Sequence, residues 1–175
     1  RPPRSTHCIS SAASDVYKRQ DFKAHGYDVT SEQAKALNNH YHDPKNRWAL
    51  KEYNARGIGR NPDNYGQVDM YLLVNESGEI ENVGYEFNGC PTISFSASIF
   101  TEDIKGITLK EAFDMTKASY DEVEAKDNCE ECTTMILVAF LAAYENYHNR
   151  QKSVEEEFTL KIIETNLQFT QQTCG

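Results

Sequence analysis

The spacing of apolar residues changes repeatedly along this chain, and each change marks an element. Residues 68–74 are dense in Val, Leu and Tyr, and residues 79–87 place Ile80, Val83, Tyr85 and Phe87 in partial alternation. Asn75-Glu76-Ser77-Gly78 lies between them with the composition of a turn, so 68–87 predicts a β-hairpin. Asn88-Gly89-Cys90-Pro91 then leaves the second strand sharply, and Pro91 suits the first turn of a helix. That helix is expected to end near Ile104, where Lys105-Gly106 supplies a basic residue and a glycine.

Thr108 and Glu111 form a capping-box pattern ahead of Leu109, Ala112 and Phe113, which predicts a short amphipathic helix. Residues 120–128 are acidic and poorly patterned, whereas 133–147 are apolar with helical period and predict the central core helix. Upstream, Thr30 or Ser31 caps a helix that runs toward His40 and is stopped by Asp43-Pro44. Trp48 and Leu50 are expected to anchor the segment that follows. Residues 57–66 hold three glycines, a proline and two asparagines, and read as a loop. Ser153 with Glu156 reads as the start of a last helix, and 158–169 are only weakly patterned.

Helix, loop, hairpin and then several helices predict an α+β fold, a small antiparallel sheet with helices packed on one face. The chain has 175 residues, is 39% hydrophobic and has a mean hydropathy of -0.68, enough for one domain with a modest core. No apolar run approaches the roughly 18 residues of a membrane span. The net charge of -9 argues against nucleic acid or an anionic membrane as the main partner.

Residues 10–20, SSAASDVYKRQ, read as the translation of a transposase-type sequencing adapter, and residues 1–6 as the flow-cell sequence before it. Residues 1–20 are therefore set aside as a non-native segment expected to be disordered, with the native start expected to be missing. Residues 21–152 form the expected domain, and 153–175 a C-terminal extension without an assigned role. Four cysteines remain: Cys90, Cys129, Cys132 and Cys174. In a long acidic chain they suggest thiols or metal ligands more than a disulfide framework.

Cys90 falls where a strand turns into a helix N-terminus, which favours its thiolate, although a buried cysteine also serves as a small apolar residue. Cys129 and Cys132 form a C-x-x-C before the longest helix, a spacing that can bite one metal or be coincidental. Soft thiolates select iron–sulfur clusters, zinc or copper(I). Glu130 and Glu131 are expected to be solvated or to face such a metal. Cys174 reads as a bystander, and His42 and His148 as solvated.

The residues 40–46, HYHDPKN, resemble the H-Y-x-x-P-x-N motif of the U-type iron–sulfur cluster assembly scaffolds, the NifU/IscU family. The stretch 79–112 is similar to that family's strand, F-G-C turn, Ser/Ala-rich helix and K-G-x-T-x-x-E-A segment. Gly66-Gln67-Val68 resembles its C-G-D-V, and Cys132 with Thr133, Thr134 and Met135 resembles its C-S-M. The likeness spans about residues 34–147.

It implies a non-enzymatic, cytoplasmic scaffold that takes sulfide from a cysteine desulfurase and iron from a donor. Such a scaffold builds a [2Fe-2S] cluster on three cysteines, an aspartate and often a histidine, and passes it to apo iron–sulfur proteins. Cys90 and Cys132 occupy the second and third cysteine positions. Tyr65 stands at the first, Gln67 at the aspartate and Glu131 at the histidine. Pro91 replaces a glycine, and the L-P-P-V-K segment read by an Hsp70-type chaperone is absent near 123–128. Cys90, Cys129 and Cys132 with Glu131 are the resulting ligand set for iron, a [2Fe-2S] cluster or zinc. A zinc-binding or interaction module that builds no cluster, and a sulfur acceptor using Cys90, are the other readings. His40 is expected to be structural.

Overall fold

The computed structural model describes residues 31–62, 66–125 and 131–163. Residues 1–20, Tyr65, Cys129, Glu130 and Cys174 lie outside them. Helix α1 (Ser31–His42) stops as expected at Asp43, whose N–H closes the last turn on Asn39 O at 2.8 Å. Strands β1 (Ala55–Arg60), β2 (Gln67–Val74) and β3 (Ile80–Asn88) follow. Helices α2 (Pro91–Ile104), α3 (Leu109–Ala125) and α4 (Glu131–Gln151) come next, and strand β4 (Thr159–Ile162) closes the described chain.

The four strands lie in the order β3-β2-β1-β4. The predicted hairpin is β2-β3, antiparallel from Gln67↔Asn88 to Val74↔Ile80. β1 is antiparallel to β2, and β4 is parallel to β1, so the sheet is mixed rather than wholly antiparallel. The helices cover the face that carries Val68, Met70, Leu72 and Tyr85, and the core closes with Ile93, Met135 and Phe140.

Where a loop was expected at 57–66, residues 57–60 belong to strand β1. The glycines have a tertiary cause. A Cβ on Gly57 would collide with Ala143 N and Ala139 O, and one on Gly59 with Met135 O and Ala139 N. All four atoms belong to the α4 backbone. The helix therefore rests directly on the strand, a closeness that only glycine permits.

The expected helix from Ser153 is also absent. Ser153 sits at φ 60, Val154 N bonds back to Asn149 O at 3.1 Å, and the chain turns into β4. Glu156 fastens this turn. Its Oε2 accepts from Asn149 Nδ2 at 3.0 Å, Thr159 Oγ1 at 2.7 Å and Asn146 Nδ2 at 3.3 Å. Those bonds hold its carboxyl below the usual carboxylate range.

The capping box at Thr108 forms as predicted, with Glu111 N donating to Thr108 Oγ1 at 3.2 Å and Thr108 N to Glu111 Oε2 at 3.1 Å. The helix it starts runs 17 residues, into the poorly patterned acidic stretch as far as Ala125. Its acids serve as partners at helical spacing, Lys110 with Asp114 at 2.7 Å and Lys117 with Asp121. Trp48 is half exposed and does not anchor its segment; Leu50 is buried and does. Trp48 O instead lies where a Cβ on Gly84 would be, so this segment crosses β3 at a glycine.

On the sheet's other face Arg56 grips Asp69 with two bonds, Nε to Oδ1 at 3.0 Å and Nη2 to Oδ2 at 2.6 Å. Nη1 reaches Glu157 Oε1 at 2.9 Å, tying the β4 approach to β1. Burial raises the Tyr71 phenol well above its ordinary value, so its O–H stays protonated to donate toward Asp69 or Glu86.

Gly57→Ala is expected to lower unfolding stability by about 3 kcal/mol, the upper part of the usual overpacking range, in a denaturant titration. A loss below about 0.5 kcal/mol would contradict the backbone contact. For Glu156 the folded carboxyl is depressed, so its stabilisation is present above the unfolded value near pH 4.3 and fades as pH falls through the folded one. Glu156→Gln should accordingly flatten the stability-against-pH curve below about pH 4.5. A curve that matches the unaltered protein there would show that the latch is not Glu156.

Candidate functional site

Three local structures converge at one end of the sheet. The register Gln67↔Asn88 puts the start of β2 beside the end of β3, and Arg60↔Gln67 adds the end of β1. Gly89, at φ 137, lies close to Gly66: a Cβ there would be 3.7 Å from Gly66 Cα. The turn that carries Cys90 is thus packed on the turn that carries Gly66 and Gln67. This juxtaposition needs no apolar core, because two glycines meet.

Cys90 is the N-cap of α2, with φ -62 and ψ 139, and its Sγ accepts from Thr92 N at 3.4 Å. Pro91 follows in the first turn, as its missing N–H and fixed φ allow. The sequence reading of Cys90 as a helix-terminal sulfur therefore holds. The expectation of a thiol rather than a disulfide does not: Cys90 is disulfide-bonded.

Cys132 lies in the first turn of α4, with a buried, reduced thiol 9% exposed. Its position follows from the strand–helix contact. Met135 sits over Gly59 and Ala143 over Gly57, so α4 begins past the C-terminal end of β1. α2 begins at the same end and runs back along β3 until Gly106 N reaches Ile80 O at 2.9 Å. α2 and α4 are therefore parallel, joined midway by the Phe100–Phe140 edge contact at 5.6 Å. Both N-termini, with Cys90 and Cys132, face one end of the molecule. Cys132 belongs to the core cluster and Cys90 packs against it.

Gln67, at the aspartate position of the resemblance, is occupied elsewhere. Its Oε1 accepts from Arg60 Nη2 at 2.8 Å and Nε at 3.2 Å. Arg60 was not singled out by the sequence, where nothing signals a pairing across the β1–β2 turn. Glu131 is the first residue of α4, and its side chain lies outside the described residues. Among the described residues no three His, Cys, Asp or Glu side chains converge to hold a metal.

His40 has the structural place expected of it: Nδ1 lies 2.7 Å from Ser98 Oγ, which also accepts from Lys45 N at 2.7 Å. Asn46, the last residue of the 40–46 motif, is a buried clamp. Its Nδ2 donates to Thr101 Oγ1 at 3.1 Å and to Glu102 Oε1 at 2.7 Å, and its O accepts from Tyr85 N at 2.9 Å. Together these contacts fix α1 and the following segment to α2 and β3. His148 is exposed, as expected, with its ring edge-on to Tyr144 at 4.5 Å. Ser96 in α2 and Thr133 in α4 carry buried hydroxyls without a hydrogen-bond partner among the described residues.

An α+β sheet with a strand–Cys–helix turn and a second helix-terminal cysteine at the same end describes a thiol-bearing domain. The NifU-like N terminal domain family matches residues 32–154, and the chain belongs to that family. It is 27% identical over 123 residues to the iron-sulfur cluster assembly scaffold protein IscU of Buchnera aphidicola subsp. Baizongia pistaciae, covering 68% of this chain and 98% of the relative. The scaffold protein of the same name from the subspecies Schizaphis graminum is 26% identical over 122 residues, covering 67% and 95%. Among solved structures it is similar to the N-terminal part of a nitrogen-fixing NifU-like protein from Brucella abortus. That likeness has 18% identity and a TM-score of 0.41, and covers 66% of this chain and 81% of that one. No helix among the described residues is long and apolar enough to cross a membrane.

Proposed function

We propose that this chain is an iron–sulfur cluster assembly scaffold, a non-enzymatic carrier that holds iron and sulfide on cysteine thiolates and hands them to apo iron–sulfur proteins. Membership of the NifU-like family supports the class. The observation that carries the reading for this chain is the placement of Cys90 and Cys132 at two helix N-termini facing the same end of the sheet. Soft thiolates suit iron and sulfide, and a helix N-terminus favours the ionised sulfur.

Cys90 can ligate only after its disulfide is reduced, by exchange with a dithiol reductant that gives up two electrons and two protons and leaves as its own disulfide. Cys129, three residues before Cys132, is the proposed third sulfur, with Glu131 as an oxygen ligand in place of the family's histidine. Gln67 stays bonded to Arg60 and supplies no ligand. The cargo is iron or a [2Fe-2S] cluster, and the sulfur source is a cysteine desulfurase, as the likeness to IscU scaffolds suggests.

After reduction and anaerobic addition of iron and sulfide, the protein is expected to develop visible cluster absorption. Cys90→Ser and Cys132→Ser should each cut cluster yield by at least about tenfold, in line with the loss of a thiolate ligand. Undiminished yield in either variant would refute its place in the ligand set. Tight zinc uptake with no visible band would replace the scaffold reading with a zinc-binding one.

A further inference from the structure

At the opposite end of α4 from Cys132, helices α3 and α4 and strand β4 enclose an open groove of about 690 Å³. Its floor is aromatic. Phe113 and Tyr144 stack with centroids 4.2 Å apart, and His148 meets Tyr144 edge-on. Its rim is basic, with Lys117, Lys152 and Lys161 all lining it against the single carboxylate of Glu145. In a chain of net charge -9 this gathering runs against the overall field.

Two of the three lysines have exposed partners they can exchange, Asp121 for Lys117 and Glu145 for Lys161 at 2.5 Å. Surface pairs of this kind are weak, so replacing one carboxylate by another costs little. Lys152 is exposed and forms no ion pair among the described residues. The groove's side wall is β4, the outermost strand, and Ile162 lines the groove while 53% exposed.

We propose that this groove docks an extended acidic segment of a partner protein. Carboxylates of the segment meet Lys117, Lys152 and Lys161, and its apolar residues cover Ile162 and the Phe113–Tyr144 pair. Charge complementarity selects the partner: a chain of net charge -9 repels an acidic segment overall, and the lysines of this groove attract it. The inference uses no cysteine, so it stands apart from the scaffold reading.

The test uses the full chain and a fluorescein-labelled hexapeptide of alternating Glu and Val, followed by anisotropy at low ionic strength. Saturable binding that weakens with added salt is expected, with amide shifts at Lys117, Lys152 and Lys161 in a nitrogen-resolved NMR spectrum. Lys152→Glu, at an exposed position that leaves the fold intact, should weaken binding about tenfold. Absence of binding, equal affinity for Lys152→Glu, or equal affinity for the Lys-Val counterpart peptide would each overturn the proposal. So would a single-stranded oligonucleotide that displaces the peptide and binds more tightly.

Discussion

The contact on which the rest of this structure depends is backbone against backbone. β1 lies under α4 with no side chain between them at Gly57 and Gly59. Because the helix cannot rotate or slide without striking the strand, its axial position is fixed to within a residue or so. That fixes where α4 begins, and therefore where Cys132 sits relative to the end of the sheet. A conventional helix-on-sheet contact through side chains leaves several rotamers of slack, whereas close-packed backbone leaves almost none.

A second set of constraints places the other sulfur. α2 is held along its length, by Tyr85 O–H donating to Ser94 O at 2.7 Å, by Asn46 at Thr101 and Glu102, and by Gly106 returning to Ile80. Its first residue can then lie only where β3 ends. The same logic closes the other side of the sheet. Glu156, held by three side chains, turns the chain into β4, and Arg56 joins Asp69 on β2 to Glu157 ahead of β4. A two-strand hairpin with helices becomes a four-strand sheet whose centre is β1.

What the sequence made legible was local. The β2-β3 hairpin, the Cys90-Pro91 helix start, the Thr108 capping box and the core helix all carry their cause within a few residues, and all were readable. β1 was not, because its glycines answer to a helix some 80 residues away along the chain, and glycine without that context means a turn. β4 was not, because a short parallel edge strand is specified by its partner strand rather than by its own alternation. At the site, the two cysteines were legible through their place before helices and through the family likeness. Asn46 was legible as a motif position but not as a clamp, and the Arg60–Gln67 bond was not legible, since nothing along the chain marks two polar strand ends as partners. The disulfide at Cys90 depends on spatial approach, which cysteine spacing alone does not report.

Two parallel helices that begin together also settle the electrostatic character of this end. Each N-terminus contributes a partial positive charge and unpaired N–H groups, worth about 0.3–1 kcal/mol to a nearby anion when exposed and more when partly buried. In this fold the two contributions overlap at one place, and Thr92 N already points at the Cys90 sulfur. Arg60 adds a full positive charge at the end of β1, and among the described residues its guanidinium donates to the neutral amide of Gln67. Were that position an aspartate, the guanidinium would be neutralised locally. With glutamine there, the guanidinium keeps its charge beside this end of the sheet. Under the proposed function this substitution exchanges a negatively charged ligand for a stronger field at the thiolates, which lowers the cost of gathering anionic sulfur there.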